Sequence, residues 1–274
     1  MTRYRTVGFV RELWRYPVKS MRGTQVAELH VTERGSVGDR VWALRDPENG
    51  RIASAKRYPR LLDFRACDEQ GRVRIDAPDG SVLYAGSPGV SEHISGIVGR
   101  RLVLVDRPGP DERTAIDPAT VFGDVPVERM KPGWTPATMP DHFRLKSGTF
   151  FEIGAVYLLT SGSVEHMRSL SEAGSRIDRR RFRPNLYVET APGPPRFVED
   201  EWLGKTLAVG PAVLLDGLAP TLWCVTSTLA QDDLPRDRTV LRTIARNHQG
   251  CLGVYASVPS AGVIHVGDPV RLLT

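Results

Sequence analysis

The stretch RVRIDAPDGSVLYAG, Arg72 to Gly86, sets the reading of the fold. Two short apolar segments flank Asp79-Gly80, a pair that tolerates the positive φ of a tight primed turn, so the stretch reads as a β-hairpin. Asn49-Gly50 repeats the signal upstream. Working outward, VGFVREL, VAELHV and VWALRD are equally short and equally bounded by turns, and the chain from Val7 to about Val105 reads as mostly β. Within it VSEHISGIV, Val90–Val98, is the one short helix expected, followed by a strand over Arg101–Val105.

The second half has the same texture. AVYLLT, Ala155–Thr160, reads as a strand. A helix follows with Val164, Met167, Leu170 and Ser171 on one face, Ser163 suiting its start and Gly174 its end. RDRTVLRTIARNH is a polar helix candidate, and LGVYASV and GVIHVGDPVRLL are closing strands. Between the halves, Asp106–Thr149 is rich in Pro, Gly and charge and reads as a linker or long surface excursion, whose MKPGWTPATMPDH could close over a site with Trp134 as shield. The expected class is mainly β with a few helices (α+β). At 274 residues the chain exceeds one ordinary core, and two domains, or one with a large extension, are expected.

Hydrophobic residues at 41% and charged residues at 25% match a globular chain rather than a disordered one. No apolar run approaches the ~18 residues of a membrane span and the start has no signal-like core, so a cytoplasmic protein without a membrane partner is expected. Cys67, Cys224 and Cys251 are far apart and form no CxxC, which argues for reduced thiols and against a zinc-ribbon or iron–sulfur site. The net charge of +5 is small, and no helix-turn-helix, zinc-finger or RNA-binding signature accompanies it, so nucleic acid is not an expected partner.

Three constellations carry chemistry. RRRFRPN, Arg179–Asn185, ends at a proline that biases Arg183 toward extended backbone, so Arg179, Arg181, Arg183 and Asn185 are expected on one strand face. Guanidiniums so placed repel one another unless carboxylates or an anion lie between them; a solvated edge strand is the plainer reading. YPVKSMRG, Tyr16–Gly23, places Lys19 and Ser20 at a strand-to-loop corner with polar groups outward. Arg40, in the apolar context VGDRVWAL, needs an anionic partner, which Asp39, Asp46 or a ligand could be. In TLWCVTST, Thr221–Thr228, Cys224 reads three ways: a small core residue, a nucleophile served in space by His142, His166 or His248, or a ligand for a soft metal. No phosphate-binding loop, GxGxxG after a strand, HExxH or GxSxG is present.

The ordered blocks YPVKS, GDRVWAL, ASAKRYPRL, YLLTSGSV, RRRFRPNLYVE, EDEWLGKTLAVG, a Cys-Val-Thr segment and GVIHVGDPVRLL resemble the MOSC proteins that carry an N-terminal MOSC-type β-barrel. That family includes the mitochondrial amidoxime-reducing components, and the likeness covers nearly the whole chain. It implies an N-terminal MOSC-type β-barrel domain over 1–120 packed on a MOSC β-barrel domain over 121–274. It also implies a molybdenum cofactor, molybdopterin with Mo, whose metal takes one protein thiolate, here Cys224, with Thr226 nearby. Lys19, Ser20 and Arg40 would hold the cofactor from the first domain, Thr160 and Ser161 would line the site, and Arg181, Arg183 and Asn185 would bind its phosphate and pterin edges. Relatives commonly carry Arg directly before the cysteine, where this chain has Trp223, so one cationic contact is expected to be missing.

The implied activity is reduction of N-hydroxylated or N-oxide small molecules. Some relatives append a ferredoxin-like domain after VGDPV, and the electrons are therefore expected from a separate ferredoxin- or cytochrome-type protein. Two other readings stand beside it. One is a sulfur carrier or sulfurtransferase using a Cys224 persulfide, loaded by a cysteine desulfurase, which needs an accessible thiol and no metal. The other is a non-catalytic cofactor carrier.

Overall fold

The computed structural model describes residues 4–106, 150, 154–194 and 196–273, and the segment Asp106–Thr149 singled out above lies, but for Asp106, outside them. The first half contributes nine strands: β1 Tyr4–Arg15, β2 Thr24–Val26, β3 Glu28–Thr32, β4 Gly35–Ser36, β5 Ala43–Arg45, β6 Arg65–Glu69, β7 Arg72–Asp76, β8 Val82–Tyr84 and β9 Val103–Val105. The second half contributes β10 Val156–Thr160, β11 Leu186–Thr190, β12 Thr206–Val209, β13 Val213–Leu222, β14 Cys251–Ser260, β15 Gly262–His265 and β16 Pro269–Leu273. The α-helices are α1 Val90–Val98, α2 Ser161–Leu170 and α3 Thr239–His248.

Seven strands close into a barrel in the order β11-β10-β14-β13-β12-β16-β1, sealed by β1 against β11, with β2 added on β1. Six of the seven come from the second half, so the first strand of the chain completes the barrel of the last. β10 and β11 are parallel and joined through α2, while the remaining barrel pairs are antiparallel. Closure leaves no barrel strand edge unpaired at the seam. It demands close approach there: a Cβ on Gly8 would sit 2.4 Å from the Glu189 carbonyl oxygen.

Strand alternation fills the barrel. In β13 the odd residues Val213, Leu215, Ala219 and Thr221 are buried, joining Leu158, Val188, Leu207, Val254 and Val270 inside. The odd side of β10 is covered from outside by α2 and α3, whose Val164, Met167, Val240 and Ile244 pack with Tyr157, Leu159, Phe182, Trp223 and, from β14, Leu252. The rest of the first half builds a separate core of Val18, Met21, Leu44, Leu61, Phe64, Ile75 and Ile94. It holds the expected β7–β8 hairpin around Asp79-Gly80, and α1 spans the residues read from the sequence.

Two contacts fasten the first half to the segment after Cys224. Ala55 and Leu62 enclose Leu229. Asp232 accepts a 2.9 Å bond from Arg65 and also pairs with Arg22, while the adjacent Asp233 pairs with Arg180 at 2.8 Å.

Three local expectations are corrected. α2 begins at Ser161 because Thr160, not Ser163, is its cap: Thr160 Oγ1 accepts from the Ser163 N–H at 3.1 Å. Leu170 is exposed rather than part of its apolar face. The run Arg179–Phe182 is a 3₁₀ turn and not a strand, since the Asp178 carboxylate accepts from both the Arg180 N–H and its guanidinium and winds the chain there. Arg183 then adopts φ 49°, ψ 48°, so the arginines point in different directions instead of sharing a face.

Candidate functional site

A cavity of about 140 Å³ opens where the two halves meet, and Cys224 lies on its wall. β13 ends at Leu222; Trp223 and Cys224 follow, and a single 3₁₀ turn, Val225–Thr228, carries the chain away. Trp223 is 8% exposed, its indole N–H donates to the Leu252 carbonyl at 2.9 Å, and its ring meets Phe182 edge-on at 5.1 Å. Where a cationic contact was expected to be missing, the structure has an anchored aromatic beside the thiol. Cys224 itself is 9% exposed, with Sγ 3.4 Å from Thr226 Oγ1.

Four cationic side chains line the same cavity: Lys19, Arg40, Lys56 and Arg183. Ser20, Ser54 and Thr226 add hydroxyls, and Tyr157, Phe182, Trp223 and Tyr255 form an aromatic side. Lys19 does not point outward as expected: it is buried, and its Nζ donates to the Phe150 carbonyl at 3.0 Å. Ser20 takes a left-handed φ of 69° at the turn that aims this corner inward. Arg40 sits in a turn at φ 51° and pairs with Asp39, whereas Asp46 pairs with Arg100.

Tyr16 organises the cationic side. The guanidiniums of Arg40 and Arg183 lie 5.1 and 4.3 Å from its ring centroid, so the ring's negative face offsets part of their mutual repulsion. Its hydroxyl donates to the Pro184 carbonyl at 3.2 Å, and its backbone N–H to Asp39 at 2.6 Å. Asn185 donates to Asp39 at 2.9 Å and to the Trp14 carbonyl at 3.3 Å, and accepts from the Tyr157 N–H at 3.2 Å. Burial pushes the Tyr16 and Tyr157 phenols up, so both are neutral at physiological pH. Gly253 makes room for Tyr157: at φ 77° it is left-handed, and a Cβ there would meet the Tyr157 ring at 2.4 Å.

Of the residues singled out in the sequence, Lys19, Ser20, Arg40, Arg183, Asn185, Cys224 and Thr226 converge on this cavity. Thr160, Ser161 and Arg181 do not line it. Thr160 caps α2 and its N–H donates to the buried Glu199 at 2.5 Å, while Ser161, the first residue of α2, accepts from the Thr190 N–H in β11 at 3.0 Å. Arg181 is fully buried and its guanidinium is spent on backbone carbonyls. His166 and His248 pack on Phe197 away from the cavity, and His142 lies outside the described residues. Sequence reasoning passed over Ser54 and Lys56, which sit within the quoted block ASAKRYPRL but carry no local signature of their own.

The donor set accommodates a metal only if the metal arrives with other ligands. Among the described residues no group of three His, Cys, Asp or Glu side chains could hold an ion, and the cavity offers one thiol amid cations. A soft metal chelated by its own anionic carrier suits that set: thiolate for the metal, guanidinium and ammonium for the carrier's charges. The residues therefore fit a phosphate-bearing metal cofactor.

Fold and site together define a mainly β protein whose closed barrel presents a thiol to a cationic cavity. Two family models match in order: the MOSC N-terminal beta barrel domain over residues 7–101 and the MOSC domain over residues 147–271. The chain belongs to the MOSC family. It is 26% identical to the mouse (Mus musculus) mitochondrial amidoxime-reducing component 1 over 99% of this chain and 84% of that protein. It is also 26% identical to the human (Homo sapiens) mitochondrial amidoxime reducing component 2, over 98% of this chain and 84% of that one. Among solved structures, the YUAD protein of Bacillus subtilis aligns over 100% of this chain and 99% of its own with a TM-score of 0.47 and 12% identity. No helix among the described residues is long and apolar enough to cross a membrane.

Proposed function

We propose that this chain is a molybdenum-cofactor oxidoreductase that reduces N-hydroxylated compounds; the relatives it resembles over nearly its whole length are named as amidoxime-reducing components. The observation that carries the reading is one cavity wall holding Cys224 among Lys19, Arg40, Lys56 and Arg183. When bound, the cofactor supplies the redox chemistry, a two-electron removal of the nitrogen-bound oxygen that consumes two protons and releases water. Cys224 provides the protein thiolate, with Thr226 Oγ1 oriented to hydrogen-bond it. Arg183 and Arg40, braced on Tyr16, bind the carrier's phosphate and anionic edges, with Lys19, Lys56 and Ser20 around them. Asn185 and Asp39 hold those groups in register instead of spending themselves on ligand. The electrons come from a separate donor protein of ferredoxin or cytochrome type.

The persulfide-carrier reading needs an accessible thiol, and a Cys224 only 9% exposed beside an anchored Trp223 does not favour it. The test is molybdenum content by elemental mass spectrometry on protein made in a cofactor-competent host, followed by reduction of an amidoxime with a chemical electron donor. Near-stoichiometric metal and turnover support the reading. Protein that takes up neither metal nor pterin overturns it.

A further inference from the structure

We infer that Arg181 is a positioning residue for Cys224, a role distinct from anion binding. Its guanidinium makes four hydrogen bonds, all to carbonyls: Nε to Arg176 at 2.8 Å, Nη1 to Ser227 at 3.4 Å and Leu229 at 3.0 Å, and Nη2 to Pro235 at 2.7 Å. Three of those acceptors belong to the bend that follows Cys224. The guanidinium spreads five N–H donors over three nitrogens and so reaches all four carbonyls, whereas an ammonium has three donors on one nitrogen and must leave at least one of them unbonded.

The connection to the thiol is continuous. Ser227, whose carbonyl Arg181 grips, sends both its N–H (3.2 Å) and its hydroxyl (3.0 Å) to the Cys224 carbonyl. The other flank is held by the neighbouring residue, since Phe182 packs edge-on against Trp223. Arg183, next again, lines the cavity. One three-residue segment therefore clamps the chain before Cys224, clamps the chain after it, and reaches the site between them. Burying a guanidinium is unfavourable unless its donors find acceptors, and here three of the four accepting carbonyls lie in the chain that follows Cys224.

The inference takes Cys224 as the reactive thiol of the proposed function, but its test reads that thiol directly and needs no molybdenum, so the two can fail separately. The rate of Cys224 alkylation by iodoacetamide is measured against pH in the full-length protein by peptide mass spectrometry, with Cys67 read in the same digest. In Arg181→Gln the limiting rate of the thiolate is expected to rise at least about threefold as the loop loosens, while Cys67 is unchanged. Arg181→Lys falls between it and the wild type. A core truncation with a similar loss of melting temperature, Val188→Ala, leaves the Cys224 rate alone. An unchanged Cys224 profile in folded Arg181→Gln, or an equal rise in Val188→Ala, overturns the assignment. If Arg181→Gln does not fold, Arg181→Lys decides by the same readout.

Discussion

Asp39 and Asn185 lie 146 positions apart and meet through a 2.9 Å hydrogen bond inside the protein. The same carboxylate pairs with Arg40 and accepts the Tyr16 N–H, so one buried acid joins the GDR turn, the Tyr16 corner and the FRPN segment. It is the point where the first half of the chain sets the geometry of the cationic side of the cavity.

Asp39→Ala should destabilise the protein by about 3 kcal/mol, because it strands a buried amide donor and a guanidinium together. Asp39→Asn, which keeps one acceptor oxygen, should lose less. Urea unfolding measures both, and a loss below about 1 kcal/mol for the alanine variant would show that the junction does not depend on this carboxylate.

Cys224→Ser removes little volume from a nearly buried position, so its melting temperature should stay within about 3 °C of the wild type. Molybdenum per chain should nevertheless fall at least about tenfold, as thiolate is replaced by a poor ligand for a soft metal. Undiminished metal in the serine variant would detach Cys224 from the metal.

Arg183→Met and Lys56→Met each remove one cation from the cavity wall. Each should lower the pterin content of purified protein, read by fluorescence after oxidation, and should make the binding that remains less sensitive to salt, since one ionic contact is gone. Arg183→Met should be the stronger, because a guanidinium braced on Tyr16 can bind phosphate through two parallel bonds. Equal pterin in both variants and wild type would remove these cations from the site.

Glu199 supplies a pH dependence. Burial raises its pKa, opposed by hydrogen bonds from Ser163 and the Thr160 backbone. A carboxyl whose folded pKa is raised stabilises the fold at low pH, and that contribution is lost as pH rises through the folded value. Glu199→Gln stays neutral throughout, so its melting temperature relative to wild type should climb as pH is increased. A difference that stays constant from pH 4 to pH 8 would mean that Glu199 does not titrate with a raised pKa.

What the sequence made legible follows the range of each interaction. The α1 helix and the β7–β8 hairpin rest on periodicity and a turn dipeptide within a few residues, and both were readable. Arg181 was not, because the carbonyls that absorb its charge lie at 227, 229 and 235, and nothing near RRRFRPN announces them. The same holds for the winding of Arg179–Phe182, where one aspartate cap outweighed the extended preference before Pro184. Trp223 could be recognised as a departure from the family's pattern, but its anchor, the Leu252 carbonyl, is supplied by β14, which lies beside β13 yet follows it by a helix and a long connection. Lys56 and Ser54 had no signal beyond membership of a resembling block.

The seam between β1 and β11 bears on how the protein comes into being. Strand β1 finds its main partners some 170 and more residues further along the chain, at Leu186–Thr190 and Pro269–Leu273. Until those segments are made only its end, Leu13–Arg15, has a local partner in β2, and the rest of its backbone donors and acceptors are open to another nascent strand, the condition under which sheets pair with the wrong chain. A fragment cut between the two halves would leave both pieces with raw edges where the intact chain has a joint.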